Sequence, residues 1–206
     1  MKLVVLGANG RTGRHVVCEA LQRGATVTAV VRSDAKRPAI RHGRLSVAIG
    51  DPCDPGFLAG VFQGQNAVIS TLGGRRPTKR ATSIYYRSAD AIVEAALETG
   101  IRKILVTSSA LLFPSGRLLD RLLMVIVGNV VQSATRMEHK LRAANLDVIV
   151  ARCGFLTNGE ERRYRAEPGS LPADGSSVAR LSLAVFLADM AQNSWSGYQV
   201  YGVSGS

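Results

Sequence analysis

Cysteine, aromatic residues and acidic residues are all scarce in this chain, and each shortage removes a class of protein. Only three cysteines occur among 206 residues. Cys18, Cys53 and Cys153 lie far apart and in no metal-ligand spacing. A disulfide framework and a zinc site are thereby disfavoured, no metal is expected, and the thiols read as packing residues in a reducing compartment. Aromatic residues are 5% of the sequence, and no helix-turn-helix, zinc-finger or aromatic RNA-binding signature accompanies the net charge of +11. The 26 basic residues are spread along the chain, with short clusters at Arg75-Arg76, Lys79-Arg80 and Arg162-Arg163-Arg165. They read as solvated surface that also attracts an anionic small ligand, and no nucleic-acid partner is expected.

Long apolar runs are missing too. The stretch Leu122 to Val127 falls far short of the ~20 residues that span a bilayer. Leu3 to Leu6, just behind Met1, carries no small-residue cleavage pattern. The expectation is a cytoplasmic protein with no membrane partner.

What remains is an alternation of strand and helix patterns. Lys2 to Leu6 reads as a buried strand, and Arg11 to Arg23 as a helix with Val16, Val17, Ala20 and Leu21 on one face, stopped by Gly24. Further strands are expected at Thr26 to Val31, around Leu45, Val47 and Ile49, and at Asn66 to Leu72, Lys103 to Thr107, Leu146 to Ala151 and Gly197 to Val203. Helices are expected after an Asp54 cap with Pro55 behind it, and at Ser83 to Thr99, Ser133 to Ala144 and Ala179 to Gln192. This order predicts an α/β fold: a Rossmann-type, doubly wound, mostly parallel sheet with helices on both faces, in a three-layer αβα sandwich. One domain over residues 1–206 is expected, with a small substrate-side cap from 111–131 and 153–178.

Gly7, Gly10 and Gly13 sit where the first strand hands over to the first helix. In that context glycines suit a dinucleotide site: Gly7 permits the turn, Gly10 lets backbone approach a pyrophosphate, and Gly13 lets helix and strand pack closely. The free N–H groups of the helix then attract phosphate. Asn9, Arg11 and Thr12 belong to the same loop. At the end of the second strand stands Arg32, with Lys36 and Arg37 behind it, where an acidic residue would instead bind a ribose 2′-hydroxyl. Arginine forks onto phosphate oxygens. NADP(H) is therefore expected in preference to NAD(H).

The spacing G-x-x-G-x-x-G resembles the short-chain dehydrogenase/reductase superfamily in its extended or atypical branches. Gly50-Asp51-Pro52 resembles the step that flanks the adenine, and Thr71-Leu72-Gly73-Gly74 the backbone that runs past ribose and nicotinamide. With Val106-Thr107-Ser108-Ser109-Ala110-Leu111-Leu112-Phe113 and the late Ile149 to Gly159 stretch, the chain resembles the NmrA-like, NAD(P)-binding atypical reductases, the group that includes biliverdin reductase B and flavin reductase. The resemblance implies that Thr107 and Ser108 face the cofactor and that Ser109 stands beside the nicotinamide as the catalytic residue. It also implies that Leu111, Leu112, Phe113, Gly154 and Phe155 meet the substrate.

The resemblance also exposes a gap. The Tyr-x-x-x-Lys pair of ordinary short-chain dehydrogenases aligns with Val130 and Ala134, and neither can transfer a proton. The histidines found near the acceptor in biliverdin reductase B relatives align with Ala134 and Gly154, while His15, His42 and His139 read as surface residues. Ketone–alcohol chemistry is accordingly disfavoured. Three readings stay open. The first is an NADPH-dependent reductase of a conjugated acceptor such as a flavin, quinone or tetrapyrrole. The second is a redox sensor that binds NADP(H) without turnover, and the third a non-reductive isomerase or dehydratase. The apolar stretch behind a Ser115 cap, broken at Gly128, reads either as a core or dimer-seam helix or as a lid over a planar substrate. Arg162, Arg163 and Arg165 read as a solvated run or as a lure for an acidic substrate. Monomer and homodimer both fit.

Overall fold

The apolar residues of the first strand are too densely spaced for one sheet face to be wet, and the computed structural model of the chain shows why. It describes residues 1–74, 76–114 and 118–206, without the side chains of 118–126. Leu3 and Val5 of β1 (Lys2–Leu6) enter one buried cluster, and Val4 and Leu6 enter the other. A strand buried on both faces needs helices on both sides. On one side lie α1 (Arg11–Gln22) and α6 (Arg180–Gln192). On the other lie α2 (Pro55–Phe62), α4 (Ile84–Thr99) and the described part of α5 (Leu118–Ala143).

The sheet also contains β2 (Thr26–Val31), β3 (Leu45–Ile49), β4 (Ala67–Ser70), β5 (Lys103–Ser109), β6 (Asp147–Cys153), β8 (Tyr164–Pro168) and β10 (Tyr198–Gly205). Its order is β3-β2-β1-β4-β5-β6-β10-β8, parallel throughout except for β8. The winding reverses between β1 and β4, and in open α/β sheets ligands settle outside the carboxyl ends of the strands at that reversal.

The expected helix starts and stops are largely present. The Asp54 side chain accepts the Phe57 N–H at 3.1 Å, as the Asp-Pro sequence predicted. The break expected at Gly128 falls one residue earlier: α5 is two helical stretches joined across a kink at Val127 (φ −108°, ψ 19°), the second of which begins before Ser133. The Ser115 cap lies outside the described residues. The arginines read as a charge run flank and enter a strand: Tyr164 and Ala166 of β8 pack on the core, while Arg165 donates from Nε to the Gly205 carbonyl at 3.0 Å. Short charged strands of this kind suit a sheet edge. A second small sheet, β7 (Phe155–Thr157) beside β9 (Ser177–Ala179), had no signal because three residues show no period.

Gly13 fixes how close α1 comes to β1. A Cβ there would stand 2.2 Å from the Gly7 carbonyl oxygen, inside any van der Waals contact. Gly13→Ala is therefore expected to cost about 1–3 kcal/mol through overpacking. Urea denaturation measures it, and an unchanged midpoint would contradict this packing.

Candidate functional site

The turn between β1 and α1 is shaped by backbone rather than side chains. Gly7 takes a left-handed φ of 78°, and its carbonyl accepts the Gly10 N–H at 2.8 Å. Gly10 is the N-cap of α1 and contributes no side-chain bond. Among the described residues nothing accepts from the N–H groups of Arg11, Thr12 and Gly13, so they stand as donors at the positive end of the helix. Arg14 pins the loop from outside, its Nε 3.0 Å from Oδ1 of Asn9.

In front of this turn runs a groove of about 530 Å³. Of the residues expected to hold a cofactor, Gly7, Asn9, Gly10, Arg32, Lys36, Asp51, Pro52, Leu72 and Gly73 line it. They come from the carboxyl ends of β1, β2, β3 and β4. Arg11, Thr12, Gly13, Gly74, Thr107 and Ser108 do not line it. Thr12 and Gly13 are buried in the first turn of α1. Gly74 abuts Thr82, and the Ser108 hydroxyl turns away to donate to Oε1 of Glu138 at 2.6 Å. The hydroxyl of Ser108, a residue expected to face the cofactor, is thus committed to Glu138.

Thr71, part of the stretch expected to pass ribose and nicotinamide, also lines the groove, whereas sequence reasoning missed other groove residues, notably Arg80, Ile84 and Arg87. Arg80 had been noticed only as part of a charge cluster. Thr71 locks β4 to the turn, its hydroxyl 3.2 Å from the Leu6 carbonyl. With Arg32 and Lys36, Arg80 and Arg87 make four cationic side chains facing one groove. Beneath Gly73 lies Tyr85, whose phenol is pushed up to about 12, chiefly by burial.

A second cavity, of about 690 Å³, opens beyond the carboxyl ends of β5 and β6. Of the residues expected to meet the nicotinamide or the substrate, Ser109, Leu111, Phe113, Gly154 and Phe155 line it, and Leu112 does not. Its other walls are Val127 and Val130 of α5 and the 169–176 loop. Val130, the residue aligned with the catalytic tyrosine position, faces this cavity, and Ala134 is fully buried. None of the three histidines lines either space.

Arg162, offered as a lure for acidic substrates, is instead bound 2.7 Å from the buried Glu19 of α1. Neither it nor Arg163 or Arg165 lines the second cavity. Among the described residues no cluster of three or more His, Cys, Asp or Glu side chains is arranged for a metal, and no helix is long and apolar enough to cross a membrane.

A cradle that a Cβ would fill, free N–H donors at a helix start and a cationic rim fit a dinucleotide. Fold and groove together define a nucleotide-binding protein of the Rossmann class. The chain belongs to the NAD(P)H-binding family, whose model matches residues 7–194. It is 30% identical over 109 residues, 50% of this chain, to the photosystem II assembly factor Ycf39 of Synechocystis, and covers 32% of that protein. It is 29% identical over 152 residues, 73% of this chain, to the ceramide reductase of Caulobacter vibrioides, and covers 44% of it. The chain thus spans less than half the length of these relatives. A short-chain dehydrogenase/reductase from Veillonella parvula in complex with NADP superposes with a TM-score of 0.81 at 22% identity, over 100% of this chain and 94% of the other.

The thiol of Cys153 borders the second cavity and donates to the Ser108 carbonyl at 3.4 Å. Burial pushes it up from 9.0 to about 12. The folded state thus holds the neutral thiol while the unfolded chain ionises it, so its contribution is complete below pH 9 and lost between 9 and 12. Urea midpoints at pH 7 and pH 10.5 should therefore diverge more in the wild type than in Cys153→Ala. Equal divergence would exclude this thiol as a source.

Proposed function

We propose that the chain is an NADPH-dependent reductase of the NmrA-like atypical short-chain type that passes a hydride to a conjugated planar acceptor, flavin-like, quinone-like or tetrapyrrole-like. The observation that carries this reading is the pairing of two spaces along one edge of the sheet. One is cationic and glycine-lined, the other largely apolar, and adjacent strands β4 and β5 feed them.

The anionic nucleotide would lie in the first, with pyrophosphate over the N–H groups of α1 and the 2′-phosphate between Arg32 and Lys36. Asp51 and Pro52 would flank the adenine. Leu72 and Gly73 would carry the ribose and nicotinamide toward Ser109. When bound, the reduced nicotinamide supplies a hydride from C4. The protein's part is to align two planar rings and to exclude water behind Phe113, Val130 and Phe155. Ser109 accepts the Leu111 N–H at 3.3 Å, which leaves its hydroxyl proton to donate to the acceptor or to the carboxamide. With valine and alanine at the Tyr and Lys positions, the proton that follows the hydride would come from water, and a delocalised acceptor tolerates that. The segments 111–131 and 153–178 would act as a cap on the single domain, and three unpaired thiols suit the cytoplasm.

Arg32→Asp should weaken NADPH at least tenfold more than NADH, because about 1.5–3 kcal/mol is lost with a charge-assisted bond. Calorimetric titration measures this, and equal losses would remove the 2′-phosphate from Arg32. Ser109→Ala should lower turnover about tenfold and leave the NADPH dissociation constant within about twofold. Absorbance at ~340 nm with FMN, a naphthoquinone and an azo dye follows both proteins. Tight NADPH binding without oxidation by any of the three would favour the sensor reading instead.

A further inference from the structure

Behind the second cavity lies a buried ion pair that the proposed chemistry does not use. Glu138 on α5 and Arg152 on β6 leave only 7% and 14% of their side chains exposed. Arg152 has every guanidinium nitrogen committed: Nε to Oε1 of Glu138 at 3.1 Å, Nη2 to Oε2 at 2.7 Å, and Nη1 to the Leu112 carbonyl at 3.0 Å. Its guanidinium carbon also sits 4.7 Å from the centre of the Phe113 ring. Glu138 in turn takes the Ser108 hydroxyl at 2.6 Å. These contacts grip residues on both sides of Ser109: Ser108 before it, Leu112 and Phe113 after it.

We propose that Arg152, oriented by Glu138, is the positioning residue of the acceptor wall, holding the 108–113 segment so that the Ser109 hydroxyl proton and the Phe113 ring face the second cavity. Three observations carry this. A desolvated ion pair contributes little net stability compared with an apolar pair of equal volume, so stability alone gives weak reason for it. Only a planar fork can bind both carboxylate oxygens and a backbone carbonyl at once while its face packs on an aromatic ring, which lysine cannot do. The Ser109 oxygen already accepts from Leu111, so the direction of its remaining proton depends on where the turn at 110–112 is held. Arg152 holds that turn at its last carbonyl and lines neither space itself.

The inference rests on the reading of the second cavity as an acceptor site, and its test separates the two. Steady-state kinetics with NADPH and menadione are measured for the wild type, Ser109→Ala, Arg152→Met and the double variant. Menadione binding to each NADP⁺ complex, where no reduction occurs, is measured by calorimetry. Arg152→Met is expected to raise both the KM and the dissociation constant of menadione about tenfold, with NADPH affinity within about twofold of wild type. The double variant should lose no more than the more impaired of the two single variants, because both changes disable one donor. Losses that multiply, or a parallel loss of NADPH affinity, would overturn the proposal. Should Arg152→Met fail to fold, Phe113→Leu keeps the ion pair and is expected to weaken menadione in the same way, and unchanged binding in that variant overturns the proposal equally. Menadione that binds the wild type without oxidising NADPH defeats the quinone-reductase reading alone, since the binding constants still decide the role of Arg152. A wild type that binds no menadione overturns the quinone reading and, with it, the role of Arg152.

Discussion

Helix α1 can begin where β1 ends only because a hydrogen atom, and nothing larger, stands on Gly13 against the Gly7 carbonyl. That contact sets the tilt of α1 against the sheet, and with it the direction in which three unclaimed N–H groups point. The groove exists in front of them because the sheet winds both ways from β1, leaving no crossover to fill the space between β1 and β4. Thr71 ties the end of β4 back to the same turn. Chain geometry, far more than any one side chain, thus leaves three N–H donors at the head of α1, and the arginines and lysine of the groove add positive charge near them.

Charge is distributed by the same architecture. Cationic side chains that reach the groove come from the segment after β2, from the short helix α3 (Lys79–Thr82) and from the first turn of α4, and they remain accessible. Those near β8 are tied down in a network over α1 and α6, in which Arg162 meets Glu19 and Arg23 meets Asp189, while the hydroxyl of Tyr164 bonds the other oxygen of Asp189. The net charge of +11 is therefore put to more than one use. Some cations stand free at the groove, and others hold the edge of the sheet against the helices.

Most of the fold was legible in the sequence because its signals are local and agree with one another. Glycines ended helices, Asp54 and Pro55 opened one, and dense β-branched runs marked strands buried on both faces. What escaped was set by partners far away in the chain. Whether Arg165 lies in a loop or in a strand depends on β10, some forty residues on, and no pattern within 162–168 encodes that pairing. The groove showed the same division. Gly7, Gly10, Arg32 and Asp51 were readable from motif order, but Arg87 was not, because only the packing of α4 against α2 brings it to the groove. Ser108 and Ser109 are adjacent and chemically identical; the resemblance singled out Ser109, but nothing in the sequence showed that Ser108 turns to Glu138. A seven-residue strand with alternating faces does so at once.

The two spaces form one site only if a nucleotide in the first presents a single face of its nicotinamide to the second. That claim is tested most directly by the fate of deuterium at C4. NADPH labelled stereospecifically at one or the other C4 hydrogen is oxidised with menadione, and the NADP⁺ formed is weighed by mass spectrometry. The account predicts that one isotopomer loses its label completely and the other keeps it completely, because α1, Leu72 and Gly73 hold the ring one way round. Partial loss from both would show a nicotinamide free to turn over, and would contradict a fixed ring facing a fixed acceptor cavity.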